Sequence, residues 1–186
     1  MPKWFTAFLT LECEAKAIDS YEAEYIPGLL QIEEYIDSAA AASPFMTVGD
    51  AEEARRLKLH RQKLVFDRPP GKLAKMRFII NEGCLLRIRR TDFYEAQIAR
   101  LLETAELEAV EIHFLPMDQG FHASMAGSFE IMSFEGPYSP ELLYLESVHS
   151  ARYIDERQAV GRAREVLSDM LTQVVRIEEY LSNVEP

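Results

Sequence analysis

The amino-acid sequence predicts an α+β fold, in which a small, largely antiparallel sheet is flanked by helices and followed by a long C-terminal helix. The chain has 186 residues, of which 48% are hydrophobic, and this is enough for one domain with a sizeable core. Helical periodicity dominates the beginning and the end of the sequence, whereas short segments of alternating polarity cluster in the middle. This order of elements is typical of α+β proteins.

The first part of the chain reads as helix, strand and helix. Apolar residues in 4–12 recur at helical spacing, which predicts an amphipathic helix. Residues 17–26 alternate in a way that suits a strand. Pro27-Gly28 ends this strand, because proline lacks the N–H that a sheet requires and glycine permits a turn. A helix is predicted from Leu29 onward.

A third helix is predicted to run through Phe66. Asp50 and Glu53 have the spacing of a capping box at its start. Its exposed face is predicted to be basic, through Arg55, Arg56, Lys58, Arg61 and Lys63.

The middle of the sequence supplies the strands. Residues 76–82 and 109–116 each predict a strand, while residues 83–90 fit a helix or a strand equally well. Asp92 and Glu95 are expected to cap a further helix. Residues 117–128 contain two glycines and form a loop that is long enough to bind a ligand or cover one.

Two more strands and the final helix complete the prediction. The strands are expected at 128–135 and 141–147, and the helix at 155–183. Its apolar residues step alternately by three and four, as in a coiled-coil seam: Val160, Ala163, Leu167, Met170, Val174, Ile177 and Leu181. This seam predicts either a dimer contact or packing on the sheet of the same chain.

Composition and charge exclude several classes of protein. No apolar run approaches the roughly 18 residues of a membrane span, and residues 1–17 lack the features of a signal peptide. The chain contains two cysteines, Cys13 and Cys84, which are expected to be free thiols in a reducing cytoplasm. We therefore predict a cytoplasmic protein.

The net charge of −11 is unevenly distributed along the chain. Residues 55–100 carry 13 basic and 4 acidic side chains, whereas the flanking segments are strongly acidic. A basic segment can bind nucleic acid, or it can face acidic segments of its own fold or of a second subunit. The second interpretation is favoured here, because an acidic molecule repels phosphate at long range.

The sequence contains no complete catalytic or metal-binding signature, and we predict neither a metal nor a cofactor. The catalytic candidates are Glu82, His113 and Glu146. With Glu111, they lie in predicted strands and would form a proton-transferring surface if those strands were neighbours. The alternative is an ordinary sheet face with ion pairs.

Four further residues are candidates for ligand binding: Tyr35, Gln31, Tyr144 and His122. Tyrosines can line an apolar pocket while offering a hydroxyl group, and His122 lies in the loop that contains the two glycines. Gln31 either braces the backbone next to it or binds a ligand. Arg61-Gln62 is expected to bridge to an acidic residue such as Glu82.

Several segments resemble a known family when they are taken together and in order. The most specific are Pro27-Gly28-Leu29-Leu30-Gln31, Arg61-Gln62, and the stretch from Leu115-Pro116 to Gly127-Ser128-Phe129. The chain resembles the domain of unknown function that follows a Cro/repressor-type helix-turn-helix in many regulators of filamentous soil bacteria. The family's DNA-binding domain has no counterpart here, since Met1 lies three residues before the first tryptophan. The sequence is therefore either a shortened form or a stand-alone version.

The resemblance implies regulation and no reaction. We therefore expect a ligand-sensing or protein-interaction domain that forms a homodimer, takes a small molecule or a regulatory protein as its partner, and does not bind DNA or membranes. The alternative hypothesis is a cofactor-free cyclase or isomerase of a natural-product pathway that uses the same pocket.

Overall fold

The computed structural model describes residues 3–44, 46–69, 71–136, 138, 140–147 and 150–183. Seven strands within these residues form one mixed sheet in the order β6-β5-β4-β1-β2-β3-β7. The predicted α+β class is confirmed, and the sheet is larger than predicted. The strands are β1 (Ala17–Glu22), β2 (Lys75–Asn81), β3 (Val110–Leu115), β4 (Phe129–Ser133), β5 (Glu141–Glu146), β6 (Ala151–Ile154) and β7 (Val175–Arg176).

Seven α-helices connect and cover these strands in the described part of the chain. They are α1 (Lys3–Glu14), α2 (Glu33–Ala41), α3 (Val48–Phe66), α4 (Gly83–Ile88), α5 (Tyr94–Ala105), α6 (Arg157–Met170) and α7 (Ile177–Asn183). Strands β1, β2 and β3 are parallel, and β4, β5 and β6 continue the sheet from β1 in antiparallel pairs. Strand β7 pairs antiparallel with β3 at the other edge.

The two faces of the sheet are covered unequally. One face, which we call the α1 face, carries Ile18, Phe78 and Ile80 and packs against α1 to α5 and α7. The opposite face, the α6 face, carries Tyr21 and Ile79 and packs against α6. Side chains that alternate along each strand therefore enter two separate cores, one of which is much larger.

The C-terminal segment is not the continuous helix predicted for 155–183. Helix α6 ends at Met170, and the chain forms the short edge strand β7 before α7 begins. Side chains just after the helix favour this break: Thr172 Oγ1 donates to Asp169 O at 2.7 Å, and Gln173 Nε2 donates to Asp169 Oδ2 at 3.1 Å. Such local bonds compete with the helical pattern.

The break divides the predicted apolar seam between the two cores. Leu167 and Met170 are buried on the α6 face, whereas Ile177 is buried on the α1 face. The seam therefore packs on the sheet of its own chain, which is the second of the two predicted arrangements.

Several helix starts differ from the prediction. Helix α2 begins at Glu33 rather than Leu29, because residues 28–30 form a turn. The capping box of α3 joins Thr47 to Asp50 rather than Asp50 to Glu53: Asp50 N donates to Thr47 Oγ1 at 3.3 Å, and Thr47 N donates to Asp50 Oδ2 at 3.1 Å. Threonine in this place satisfies an N–H that the helix leaves free.

Helices α4 and α5 and strand β6 also bear on the prediction. Helix α5 begins after Phe93, which makes no capping hydrogen bond through its side chain, so the expected capping by Asp92 and Glu95 is wrong. The ambiguous segment 83–90 contains helix α4. Strand β6 was not predicted.

Candidate functional site

Three glutamines and a tyrosine satisfy the backbone of the corner that contains Pro27-Gly28. Gln31 Nε2 donates to Ile26 O at 2.6 Å, and Gln62 Nε2 donates to Gly28 O at 2.9 Å and to Gln31 O at 2.7 Å. Gln97 Nε2 donates to a further backbone carbonyl of this corner, Leu30 O, at 2.8 Å. This corner is buried, so each unpaired backbone group would be costly.

Tyr35 belongs to the same bracing network. Its hydroxyl accepts a hydrogen bond from Ile26 N at 3.0 Å, and its ring packs edge-on against Phe93 with centroids 6.3 Å apart. Burial raises the pKa of Tyr35 to about 12. The hydroxyl of Tyr35 thus has a backbone partner. Of the two roles predicted for Gln31, bracing the backbone and binding a ligand, its hydrogen bond to Ile26 O matches the first.

Arg61 pairs with Glu12 rather than with Glu82. Arg61 Nε and Nη2 each lie 2.5 Å from a different carboxylate oxygen of Glu12, which forms a bidentate pair that is almost completely buried. A Cβ atom at Gly28 would lie 2.8 Å from Arg61 Nη1. Gly28 is therefore required by the close approach of Arg61, and it is not among the glycines with positive φ.

The expectation of a basic exposed face on α3 is therefore wrong in part. Arg61 is 8% exposed, and Lys58 turns inward, with Nζ donating to Gln31 Oε1 at 3.1 Å. Both cations face the acidic groups of the fold, as the favoured interpretation of the charge pattern predicts.

These cations lie in a charged cluster on the α1 face of the sheet, which we call the glutamate cluster. Its members interact electrostatically with one another, and they come from α1, α3, β1, β4 and β5: Glu12, Glu22, Lys58, Arg61, Glu130 and Glu146.

Strand register brings the glutamates of this cluster together. Glu130 lies opposite Ser20 on β1 and Tyr144 on β5, and alternation places Glu22 and Glu146 two residues farther along those strands on the same face. Glu22 ends β1 and Glu146 ends β5. The cluster therefore lies at the carboxyl end of the parallel strands, where open α/β sheets commonly bind ligands.

Burial changes the protonation of two of these glutamates. It raises the pKa of Glu22 to about 7, an effect that the charge of Glu146 reinforces and that Ser128, Arg61 and Lys58 oppose. The pKa of Glu130 is raised well above its usual range, first by burial and then by the charge of Glu12. Both groups therefore hold protons at a pH at which an exposed glutamate would be ionised.

One oxygen atom of the cluster has no partner. Glu130 Oε1 is enclosed by protein and makes no hydrogen bond within the described part of the chain. Glu12, by contrast, is saturated by Arg61, and Glu146 Oε2 accepts a hydrogen bond from Tyr144 at 3.1 Å. A buried polar atom without a partner destabilises the fold by about 1–3 kcal/mol, which makes Glu130 Oε1 a candidate contact for a ligand.

Aromatic rings border the cluster. The ring of Tyr144 packs against Phe8 and Tyr153, with centroids 4.5 and 5.2 Å away. The guanidinium carbon of Arg61 lies 4.7 Å from the centroid of the Phe8 ring. Burial, followed by the charge of Glu146, raises the pKa of Tyr144, so its hydroxyl remains a donor. Glu146 itself is exposed, and it places one side of the cluster next to solvent.

The three catalytic candidates do not meet. Glu82 follows β2 and joins two other segments, accepting from Met117 N and from the Tyr180 hydroxyl, each at 2.7 Å. His113 lies on the α6 face, where Nε2 is 3.4 Å from Glu111 Oε2 and burial lowers the pKa of the histidine. Of the three, Glu146 is the one that belongs to the glutamate cluster.

His122 also lies apart from the cluster. Its Nε2 is 3.4 Å from the hydroxyl of Tyr21, which points to the α6 face, and its Nδ1 accepts from Ser124 N at 3.3 Å. Thus Tyr144 lies within the candidate site, Gln31 touches it through Lys58, and His122 is remote.

A surface groove of about 760 Å³ lies at the opposite end of the parallel strands. Four of its charged side chains already bind one another or the backbone. Arg77 Nε is 3.0 Å from Glu111 and its Nη1 is 3.3 Å from Asp19, while Arg68 donates to the carbonyl groups that end α1. Because these four groups are engaged within the fold, the groove is a weaker candidate than the glutamate cluster.

Neither a metal site nor a membrane-spanning helix is found in the described residues. No group of three or more histidine, cysteine, aspartate or glutamate side chains there is arranged to hold a metal ion. No helix among them has the length and apolar character needed to cross a membrane.

Comparison with solved structures gives distant similarity. An archaeal chromatin protein, TrmBL2, whose structure is described as showing a novel mode of DNA binding, aligns with 91% of this chain at 11% identity and a TM-score of 0.38. The chain spans 48% of that protein's length. No curated protein matches the sequence.

Comparison with family models gives a match that covers nearly the whole sequence. Residues 5–179 match the model of a domain of unknown function, DUF5753. These residues include all seven strands and the complete glutamate cluster. The chain belongs to the DUF5753 family.

Proposed function

We propose that this chain is the ligand-sensing domain of a family of transcriptional regulators, that the glutamate cluster binds the ligand, and that the domain acts in the cytoplasm without binding DNA directly. The observation that carries the proposal is the enclosed, unpartnered oxygen of Glu130 among further glutamates. The resemblance to domains that follow a Cro/repressor-type helix-turn-helix supports the regulatory role.

The cluster is a poor stabiliser of the fold. Arg61 is already matched by Glu12, so Lys58 is the one remaining cation of the cluster for Glu22, Glu130 and Glu146. Burying a carboxyl group that lacks a partner opposes folding, and an apolar residue of similar size would be more favourable there. Retaining such groups is reasonable where a ligand completes their hydrogen bonds.

A ligand in this place would act directly on α1. Phe8 and Glu12 come from that helix, whereas Glu22, Glu130 and Tyr144 come from the sheet. A ligand that binds between the two changes the contacts that hold α1 on the sheet, and differential contacts are what shift a conformational equilibrium. Helix α1 is thus the element that transmits the signal in this proposal.

The partners in this proposal are a small-molecule ligand and a second copy of the chain or a regulatory protein. The loop 117–128 offers apolar surface for a protein contact, since Phe121 is 89% exposed and Met125 is 60% exposed. Apolar side chains grouped on a surface are common at protein interfaces.

A cofactor-free cyclase or isomerase is the second candidate. It is favoured by Glu22, whose pKa of about 7 suits a general acid or base at neutral pH. The two functions differ in what happens to the bound molecule: a sensor releases it unchanged, whereas an enzyme releases a product of altered structure.

The proposal is tested by native mass spectrometry of protein purified from its host. We expect a co-purifying small molecule on the wild-type chain, and its loss when Glu146→Trp introduces a bulky side chain at the exposed side of the cluster. The matched control is Glu103→Trp, at an exposed position on α5. A folded wild-type chain without extra mass, or a molecule retained by Glu146→Trp, would contradict the proposal.

A further inference from the structure

We propose that the ligand of the glutamate cluster is an organic cation, a protonated amine on an apolar body, whose ammonium group binds Glu130 together with Glu22 and Glu146. This inference rests on the proposed function and specifies the chemistry of the ligand. It is drawn from the charge of the cluster, from its unpartnered oxygen and from the rings that border it.

The charge of the cluster favours a cation. Glu12 and Arg61 neutralise each other in a bidentate pair, which leaves Lys58, next to Glu22 and Glu146, as the one other cation of the cluster beside Glu22, Glu130 and Glu146. If all three glutamates were ionised, two negative charges would remain without a counter-charge. A positively charged ligand supplies what is missing, whereas an anion would add to the repulsion.

The free protein compensates for this imbalance with protons. Glu130 is faced by Glu12 from α1, Arg61 from α3, Glu22 from β1 and Glu146 from β5. The pKa values of Glu22 and Glu130 are raised, so protons take the place of the missing cation. When an ammonium group binds, these protons pass to the solvent and the carboxylates accept N–H donors instead.

The neighbouring groups fit the rest of such a molecule. Glu130 Oε1 is a free acceptor inside the cluster, which is the type of group that an ammonium N–H requires. The rings of Phe8, Tyr144 and Tyr153 form an apolar border, and aromatic faces also attract cations. A divalent metal ion fits less well, because the described carboxylates do not converge as a metal site.

The test compares three molecules of similar size that differ in charge: 2-phenylethylamine, 2-phenylethanol and 3-phenylpropionate. Each is titrated calorimetrically into the full chain at pH 7, in phosphate and in Tris buffer. We expect the amine to bind at least tenfold more tightly than either analogue. Its apparent heat should differ between the buffers, because protons released by Glu22 and Glu130 are taken up by the buffer.

Two variants locate the binding. Glu130→Gln keeps the shape of the side chain and removes its charge, so amine affinity should fall at least tenfold and the buffer dependence should decrease. Glu103→Gln, on the exposed surface of α5, should bind like the wild type. Circular dichroism of each variant shows whether the fold is retained.

The outcomes separate this inference from the proposed function. If the alcohol or the carboxylate binds more tightly than the amine, and Glu146→Trp abolishes that binding, the ligand site stands and the cation is wrong. If the amine binds without proton release, or equally well to Glu130→Gln, the assigned groups are wrong. If none of the three binds, the inference is overturned, while the co-purified mass decides the proposed function independently.

Discussion

Tyr35 and Glu22 both lie on the α1 side of the sheet, but their polar groups have different roles. The hydroxyl of Tyr35 has a fixed backbone partner, the N–H of Ile26 at 3.0 Å. The carboxyl of Glu22 accepts a hydrogen bond from Ser128, but burial raises its pKa to about 7, so about half of these carboxyls carry a proton at neutral pH. The first arrangement stabilises the corner, and the second leaves a group available for a ligand.

Replacing Tyr35 with phenylalanine tests the bracing role. Tyr35→Phe removes the acceptor and leaves the buried N–H of Ile26 without a partner, so the free energy of unfolding should fall by about 1–3 kcal/mol. Tyr25→Phe, at a residue that is 56% exposed, is the matched control and should change it by less than about 0.5 kcal/mol. Urea denaturation measures both. Equal stability of the two variants, with weaker ligand binding for Tyr35→Phe, would restore the predicted pocket role.

The pH dependence of stability tests the carboxyl of Glu22. Its pKa is about 7 in the folded chain against an ordinary value of 4.5, so the folded state retains this proton to higher pH than the unfolded state. The contribution of Glu22 to stability therefore falls as the pH rises from about 4.5 to 7, by about 3 kcal/mol in total.

Glu22→Gln should remove this fall. The variant should match the wild type below about pH 4.5 and be more stable at pH 8, as measured by urea denaturation at several pH values. His113 and His122, whose pKa values are lowered, act in the opposite direction through pH 6.5, but they do so equally in both proteins. Parallel stability curves would mean that Glu22 has an ordinary pKa.

The sequence could not identify Glu130 as a site residue. Residues 128–135 alternate, but both faces of the strand carry a mixture of apolar and polar side chains, so the pattern does not show which face is buried. Among the candidates that were found, Glu146 belongs to the cluster, and Gln31 and Tyr144 lie beside it. Finding Glu130 required the pairing of β4 with β1 and β5, which is a property of the tertiary fold.

At the level of elements, local patterns predicted the five longer strands and missed the two short strands, β6 and β7, that form the edges of the sheet. Strands β1 to β5, each of five or more residues, were all anticipated, and the alternation of side chains is clear in β1 and β3. Strand β7 has two residues. The apolar residues on either side of it, Val174 and Ile177, continue the spacing of three and four residues that α6 and α7 show. An apolar repeat therefore suggested one helix where the structure has two, one on each face of the sheet.

Helix α6 tests this packing. Leu167→Asp introduces a charge into the core between α6 and the sheet, where Leu167 is 3% exposed, and should reduce the free energy of unfolding by several kcal/mol or prevent folding. The same substitution at the exposed neighbour, Ser168→Asp, should have little effect. Thermal unfolding and the mass in solution are measured for both. If Leu167→Asp remains as stable as Ser168→Asp, α6 does not cover the sheet.

For the whole molecule, contacts within the chain explain part of the uneven distribution of charge. Basic side chains of the middle segment pair with acidic side chains from the flanking segments, as in Arg61 with Glu12, Arg55 with Asp37 and Arg77 with Asp19. These pairs neutralise part of the basic segment, and the whole molecule is acidic, with a net charge of −11. Such a surface is unfavourable for binding phosphate groups.

We accordingly expect no sequence-specific binding of this chain to duplex DNA. A gel-shift assay at physiological salt with a mixture of random duplexes should show no complex at micromolar protein concentration. A basic protein of similar size serves as the positive control. Selection of one sequence with nanomolar affinity would contradict the expectation and would assign the chain a DNA-binding function.

The central claim is that the glutamate cluster holds protons which a ligand's ammonium group replaces. The most direct measurement is carbon NMR of the glutamate carboxyl groups between pH 4 and 9, with Glu22 assigned by its absence in Glu22→Gln. We predict that Glu22 titrates near pH 7 in the free protein and at lower pH when 2-phenylethylamine is present. A midpoint near the ordinary value of about 4.3, unchanged by the amine, would contradict the account.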